Sequence, residues 1–142
     1  MGTRRVKAAY LDASAAVKLF KPEPETEALV AALGAWSALV SSELLAVEAR
    51  CTARRLGGEA VLERVETVLA GIDFVPFTPE IRDLAGGVTF QPALRALDAI
   101  HLATAMTVAE ELDTFFVYDT NLQAAASHQG LSVDAPVRSR EQ

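Results

Sequence analysis

The sequence predicts an α/β fold in which helices cover both faces of a central parallel sheet. Short apolar runs of strand length alternate with segments of helical periodicity, which is the pattern of parallel α/β proteins. The chain has 142 residues, of which 51% are hydrophobic, so a single domain over residues 1–142 can bury a substantial core. This composition excludes intrinsic disorder, and eight glycines and six prolines exclude collagen-like repeats.

The first half of the chain contains predicted elements that begin and end at capping or breaking residues. Asp12 directly follows the first apolar run, and either Asp12 or Ser14 can cap the next helix. In order, the sequence predicts a strand at 6–11, helices at 13–20 and 25–33, a strand at 38–41, a long helix capped by Ser41 or Ser42 and ended by Gly57, a helix at 59–70, and a strand at 72–77 that Pro76 places at a sheet edge.

The second half continues the alternation. The sequence predicts a short helix that opens at 78–80 and ends at 86–87, a helix at 94–110, a strand at 114–118, a helix that ends near 128, and a last strand at 131–133. Asp119 directly follows the strand at 114–118, as Asp12 follows the first strand. The two aspartates are therefore predicted at the same edge of the sheet.

Charge and cysteine content restrict the function classes. The net charge is −6 and the isoelectric point is about 4.9, whereas nucleic-acid-binding proteins are usually basic. This argues against a polyanionic partner unless several carboxylates meet and hold cations. The single cysteine excludes a disulfide framework or a thiolate zinc site and suits a reducing compartment. No apolar segment reaches the roughly 20 residues that span a membrane, so we expect a cytoplasmic protein.

Asp12 and Asp119 are candidates for a ligand site because of where they stand. In parallel α/β sheets, ligands bind outside the carboxyl ends of the strands, where the strand order reverses. Both aspartates fit that placement, and each could instead be an ordinary helix N-cap.

Asp98 and Glu48 are acids within predicted helices. Asp98 is flanked by apolar residues in a helix that the pattern predicts to be largely buried. A carboxylate there costs several kcal/mol unless it is paired, hydrogen-bonded or metal-bound. A salt bridge to Arg95 is the structural alternative for Asp98, and a solvated helix surface is the alternative for Glu48. Glu43 is interpreted as a first-turn glutamate without a role in the site.

Taken together, the four acids come from separate elements and favour a metal site. Clustered carboxylates repel one another unless a cation lies between them, and hard oxygen ligands select Mg²⁺ or Mn²⁺ over zinc. Such cations would also offset part of the net negative charge. The predicted ligands are Asp12, Glu48, Asp98 and Asp119.

Three other residues have side chains that could bind a ligand or react. His101, three residues after Asp98, is interpreted as a buried core histidine rather than a ligand. Cys51 falls on an apolar stripe with Leu44 and Val47 and is interpreted as a core thiol. Arg55 lies two helical turns after Glu48, where it could reach a phosphate or simply be solvated.

The motifs that contain these acids resemble those of PIN-domain ribonucleases, in particular the VapC-type toxins of VapBC toxin–antitoxin pairs. The matching segments, which span nearly the whole chain in the family's order, are YLDASAAVKL at 10–19, the segment around Glu48, LDAIHLATA at 97–105 and VYDTNLQAAA at 117–126. The resemblance implies a three-layer α/β/α sandwich with strand order 3-2-1-4-5. It assigns Asp12, Glu48, Asp98 and Asp119 to the metal and Ser14 to a small polar position beside the first acid. Val117 departs from the family pattern, which has Thr or Ser two residues before the last aspartate.

The resemblance implies an endoribonuclease that depends on Mg²⁺ or Mn²⁺. It also implies an RNA substrate, a cognate antitoxin that occupies the active-site groove, and a homodimer. The alternative is a non-catalytic PIN-like module that binds RNA or protein, which Val117 alone favours. A receiver-type phosphoacceptor domain is disfavoured because no lysine follows Lys21, whereas such a site needs one after a late strand.

Overall fold

The computed structural model describes residues 7–87 and 89–138. Val6 of the predicted first strand and the residues after 138 lie outside this part. The strands are β1 (Ala8–Leu11), β2 (Ala38–Ser42), β3 (Asp73–Val75), β4 (Leu112–Phe116) and β5 (Val133–Asp134). The helices are α1 (Ala13–Val17), α2 (Thr26–Leu33), α3 (Leu44–Leu56), α4 (Glu59–Ala70), α5 (Pro79–Gly87), α6 (Ala96–Thr107) and α7 (Thr120–His128), with a 3₁₀ turn at Ala109–Glu111.

The strands form one parallel sheet in the order β3-β2-β1-β4-β5, which confirms the predicted order. β1 lies in the centre, and the chain builds the sheet outward from it first on one side and then on the other. The reversal therefore falls between β1 and β4, where Leu11 pairs with Phe116. As predicted from Pro76, β3 is an edge strand.

Two apolar clusters cover the opposite faces of the sheet and confirm the three-layer arrangement. Leu11 and Phe116 face the cluster that contains residues of α1 to α4. Their strand neighbours Tyr10 and Phe115 face the other cluster, with residues of α6 and α7. The Tyr10 and Phe115 rings stack with their centroids 5.0 Å apart. This alternation follows from the two-residue period of a strand.

Several bounds differ from those predicted. β3 and α6 are shorter, at Asp73–Val75 rather than 72–77 and at Ala96–Thr107 rather than 94–110, and β4 has the predicted length but lies two residues earlier in the chain. α1 ends at Val17 rather than near residue 20, because the chain turns there and the carbonyl of Lys18 accepts a hydrogen bond from the Thr26 hydroxyl. β4 ends at Phe116, because the amide of Tyr118 donates to the Ser14 hydroxyl rather than to a neighbouring strand. Asp119 thus follows a short loop and not, as predicted, the last strand residue.

The buried face of α3 is one position away from the predicted stripe. Leu45, Ala49 and Ala53 face the core, whereas Val47 and Cys51 are exposed. The interpretation of Cys51 as a core thiol is therefore wrong. The apolar pattern was real, but it marks a groove on the surface. In the described part of the chain, no helix is both long and apolar enough to cross a bilayer.

Candidate active site

Asp12 is a buried carboxylate that accepts hydrogen bonds from one main-chain amide and one hydroxyl. It follows β1 directly and caps α1, since its Oδ1 accepts a 2.9 Å hydrogen bond from the amide of Ala15. The Ser14 hydroxyl lies 2.7 and 2.8 Å from the two oxygens of Asp12 and donates to them. Ser14 in turn accepts a 2.9 Å hydrogen bond from the amide of Tyr118. Ser14 therefore joins the first acid to the loop that carries Asp119.

Asp119 and Asp98 lie at the N-terminal ends of two helices, close enough for their charges to interact. Asp119 caps α7 by accepting a 2.8 Å hydrogen bond from the amide of Leu122, so the N-cap interpretation holds for both strand-end aspartates. Asp98 lies in the first turn of α6. No ion pair joins it to Arg95 in the described residues, so the salt-bridge alternative is not supported.

Glu48 reaches the site from α3 and contacts a buried histidine. Its Oε1 lies 2.7 Å from Nε2 of His101, and the side chain is only 16% exposed. His101 is buried, which confirms its interpretation as a core histidine, but its partner is one of the predicted site acids. Glu43 is exposed and its Oε1 accepts a hydrogen bond from the amide of Phe77, so its contact is with the loop after β3.

The electrostatics of the site reflect both burial and like charges. Burial raises the pKa of Asp12 to about 6, against the opposing hydrogen bonds from Ser14 and Ala15. Burial also raises the pKa of Asp98, and the negative charges of Asp119 and Glu48 raise it further. Asp119 and Glu48 are thus each close enough to Asp98 to repel its charge, although the three acids come from different helices or loops.

The chemistry of this donor set fits a hard divalent cation. All four groups are carboxylates, whose oxygens suit Mg²⁺ or Mn²⁺, and the repulsion of Asp98 by Asp119 and Glu48 favours a bound positive charge. As the side chains stand, no three Asp, Glu, His or Cys groups among the described residues converge closely enough to hold an ion. Glu48 is turned toward His101. The fit therefore rests on ligand chemistry and electrostatics.

A groove of about 360 Å³ runs beside these acids between α1 and α3. Its walls are mostly apolar and include Val17, Val47, Cys51 and Leu97. Glu48 and Arg55 also line it, so both charged residues border one cleft, as their spacing on the helix predicted. Arg55 is exposed and bonds within its own helix to the hydroxyl of Thr52.

Val117 faces the core. It is fully buried in the cluster formed with α6 and α7, and its main-chain amide bonds to the carbonyl of Asp134 in β5. The hydroxyl that the structure provides at the site comes instead from Ser14 on the opposite side of the reversal point.

Neither Tyr10 nor His101 is among the site residues predicted from the sequence. Both are polar side chains inside strongly apolar segments, and this is the signal that could have drawn attention to them. The Tyr10 hydroxyl lies 2.8 Å from Nδ1 of His101, so the pair leads from the centre of the sheet to Glu48.

The fold and the acid arrangement define a PIN domain. The family model of the PIN domain matches residues 9–127, and the chain belongs to this family. Its relatives are VapC ribonucleases of Mycobacterium tuberculosis. The chain is 40% identical to ribonuclease VapC46 over 130 residues, which cover 91% of this chain and 98% of the relative. It is 39% identical to ribonuclease VapC35 over 135 residues, which cover 92% and 98%.

Solved structures share this fold at low sequence identity. VapBC2 from Rickettsia felis, bound to a DNA fragment of its promoter, aligns with a TM-score of 0.70 at 12% identity, covering 91% of this chain and 98% of that one. M. tuberculosis VapC20, a toxin that cleaves the sarcin-ricin loop, aligns with a TM-score of 0.69 at 15% identity, covering 90% and 99%. At these identities the likeness concerns the fold alone.

Asp12→Asn tests the electrostatic cost of the buried acid. The pKa of Asp12 is raised from 3.8 to about 6, so the folded state binds a proton that the unfolded state has lost in this range. Wild-type stability should therefore fall as the pH rises from about 4 to about 6. Asparagine keeps the shape and the capping oxygen without the charge. We expect its melting temperature in EDTA at pH 7 to equal or exceed that of the wild type, with a flatter pH profile between these limits. A lower melting temperature at pH 7 would contradict the assignment.

Val117→Thr tests the orientation of residue 117. The substitution places a hydroxyl among apolar side chains at a fully buried position, which costs about 1–3 kcal/mol if the hydroxyl finds no partner. We expect a drop of several degrees in the melting temperature, measured by calorimetry. Unchanged stability would mean that the hydroxyl finds a partner and that the side chain can turn from the core.

Proposed function

We propose that this chain is a divalent-metal-dependent endoribonuclease and the toxin of a VapBC pair. The observation that carries the proposal is the repulsion of Asp98 by the charges of Asp119 and Glu48, close to the buried Asp12 at the carboxyl edge of a PIN sheet. The relatives named ribonucleases, which align over almost the whole chain, support the same activity.

In this proposal the chain's own residues build a rigid frame around the scissile phosphodiester. Asp12, Glu48, Asp98 and Asp119 hold Mg²⁺ or Mn²⁺, and Ser14 fixes both oxygens of Asp12. Arg55, exposed at the groove, contacts a phosphate of the RNA. A bound cation would supply a more acidic water and offset negative charge on the phosphodiester.

The non-catalytic alternative draws on Val117 alone. Since Val117 is buried in the core and Ser14 supplies a hydroxyl to Asp12, this departure does not weaken the acid site. We therefore favour the enzyme, and a failure to cut any RNA would favour the binding module.

The apolar groove provides a place for the antitoxin. Solved relatives of this fold include toxin–antitoxin complexes, one of them from Klebsiella pneumoniae with a TM-score of 0.66 at 22% identity over 92% of this chain and 99% of that one. We propose that the cognate antitoxin covers the groove and blocks access to the acids. We also propose a cytoplasmic homodimer, as the resemblance to the toxin family implies.

The activity test uses the purified chain without its antitoxin and a mixture of structured and single-stranded RNAs. We expect cleavage with Mg²⁺ or Mn²⁺ that stops in EDTA and leaves 5′-phosphate and 3′-hydroxyl ends. Asp98→Asn should lower the cleavage rate by orders of magnitude, because it removes a charged oxygen from the metal site.

Glu43→Gln is the matched control. It also changes a carboxylate to an amide, but the side chain keeps an oxygen to accept the hydrogen bond of Phe77, and we expect near wild-type cleavage. Products with 2′,3′-cyclic phosphate, or cleavage in EDTA, would contradict the metal-dependent mechanism. Equal damage from both variants would contradict the choice of acids.

Val47→Asn tests the groove as the antitoxin site. Val47 is 60% exposed and lines the groove, so a polar side chain should spare the fold but disrupt apolar contact with a partner. We expect at least about a tenfold weaker affinity for the antitoxin, or roughly 1.4 kcal/mol. Val30→Asn on α2 is the control, since Val30 is 54% exposed and does not line the groove. Equal effects of the two changes would place the antitoxin elsewhere.

A further inference from the structure

A continuous chain of hydrogen bonds crosses the core and ends on a site acid. The amide of Ser42 lies 3.1 Å from Oη of Tyr10, Oη lies 2.8 Å from Nδ1 of His101, and Nε2 of His101 lies 2.7 Å from Oε1 of Glu48. We propose that Tyr10 and His101 are positioning residues that fix the Glu48 carboxylate for the divalent cation. We call these three side chains the Tyr10–His101–Glu48 relay. The inference rests on the proposed function, because it assigns Glu48 to the metal.

The direction of the hydrogen bonds follows from the groups at the two ends. An ionised carboxylate can only accept, so Nε2 of His101 must carry the proton that it donates to Glu48. A neutral imidazole then has a free acceptor at Nδ1, which the Tyr10 hydroxyl fills by donating. The oxygen of Tyr10 accepts from the Ser42 amide, an obligate donor. Burial raises the pKa of Tyr10 and keeps this hydroxyl protonated. With a neutral imidazole, the three hydrogen bonds therefore run in one direction, from the Ser42 amide and the Tyr10 hydroxyl through His101 to Glu48.

The relay is anchored in the buried centre of the molecule. Tyr10 lies on the central strand and is fully buried, and His101 is 1% exposed within α6. The rings of Tyr10 and His101 also meet edge to face, with centroids 5.8 Å apart. Glu48 belongs to α3, on the other side of the site. The relay therefore determines where a long, flexible side chain from a separate helix comes to rest.

The relay leaves one oxygen of Glu48 for an external ligand. Oε1 is held by His101, whereas within the described part of the chain Oε2 takes part in no hydrogen bond. A carboxylate held through one oxygen keeps the other at a defined position, which lowers the entropic cost of binding a cation. Partners that orient a ligand in this way contribute about 10- to 100-fold to metal affinity.

The competing explanation is that His101 merely satisfies its own polar atoms in the core. In that case its loss should lower the stability of the fold and leave the metal affinity of correctly folded protein unchanged. The two explanations differ in a quantity that can be measured without any knowledge of the RNA target.

The experiment measures Mn²⁺ binding by isothermal titration calorimetry on the full chain without antitoxin. His101→Leu and His101→Gln are similar in size, but only glutamine carries an N–H that can reach Glu48. We expect about 10- to 100-fold weaker binding in His101→Leu and a substantial recovery in His101→Gln. Tyr10→Phe keeps the ring and the fold but removes the donor to Nδ1. We expect a loss of about tenfold there.

Thr26→Val is the control for the loss of a partly buried, hydrogen-bonded hydroxyl. The hydroxyl of Thr26 bonds to the main chain of Lys18 and Glu23 and has no contact with the relay. We expect it to lower the melting temperature without weakening Mn²⁺ binding.

The tautomer of His101 provides a second measurement, which uses the metal-free protein. Long-range ¹H–¹⁵N correlation spectra should show His101 protonated at Nε2 and unprotonated at Nδ1 at neutral pH. The Nδ1 resonance should shift in Tyr10→Phe, because the nitrogen loses its donor. A proton on Nδ1 would overturn the direction assigned to the relay.

The outcomes separate this inference from the function on which it rests. If the wild type binds Mn²⁺ and all three relay variants bind equally well, the relay has no positioning role and the proposed function stands. If the wild type binds neither Mn²⁺ nor Mg²⁺, the proposed function fails, and the relay's role toward a metal fails with it. Weak binding in His101→Leu with recovery in His101→Gln supports the relay.

Discussion

The structure depends on keeping the carboxylate of Asp12 buried between β1 and β4, where the strand order reverses. Only 1% of this residue is exposed, and burying a charge without partners would be prohibitive. The first turn of α1 supplies one amide, and the hydroxyl of Ser14 binds both oxygens. Ser14 is itself held by the amide of Tyr118, more than 100 residues later. The hydrogen bonds that solvate this one acid thus connect the end of the first strand to the loop that carries Asp119.

Two polar side chains in the core lead toward the same edge of the sheet. Tyr10 occupies the centre of the sheet and His101 the buried face of α6, where apolar residues would pack without any need for hydrogen-bond partners. Their hydroxyl and imidazole satisfy each other and lead to Glu48. A fold selected for stability alone would not require this connection. The connection ends on Glu48, one of the two acids whose charge repels that of Asp98.

Much of the fold could be predicted from the sequence, because strand length, helical period and breaking residues are local signals. The strand order depended on the resemblance to a known family, and the structure confirms it. Asp12 and Asp98 could be selected from local signals, since one follows an apolar strand and the other lies within an apolar helix. The failures concern long-range contacts. The end of β4 depends on a hydrogen bond between Tyr118 and Ser14, which no local pattern reveals. The exposure of Cys51 depends on which face of α3 meets α1, and an apolar stripe cannot distinguish a core from a groove.

The groove explains how, in the proposed function, an acidic protein could bind both RNA and a protein inhibitor. Its walls of Val17, Val47 and Leu97 offer apolar contact but few hydrogen-bond donors, so they suit the side chains of a protein better than a phosphate backbone. RNA, in contrast, would be repelled by the acids unless cations offset their charge. Because Glu48 lines the groove and is also one of the proposed metal ligands, a protein seated on the apolar walls would lie beside that site. Inhibition would then need no change in shape, since occupying the apolar surface already denies RNA access to the charged one.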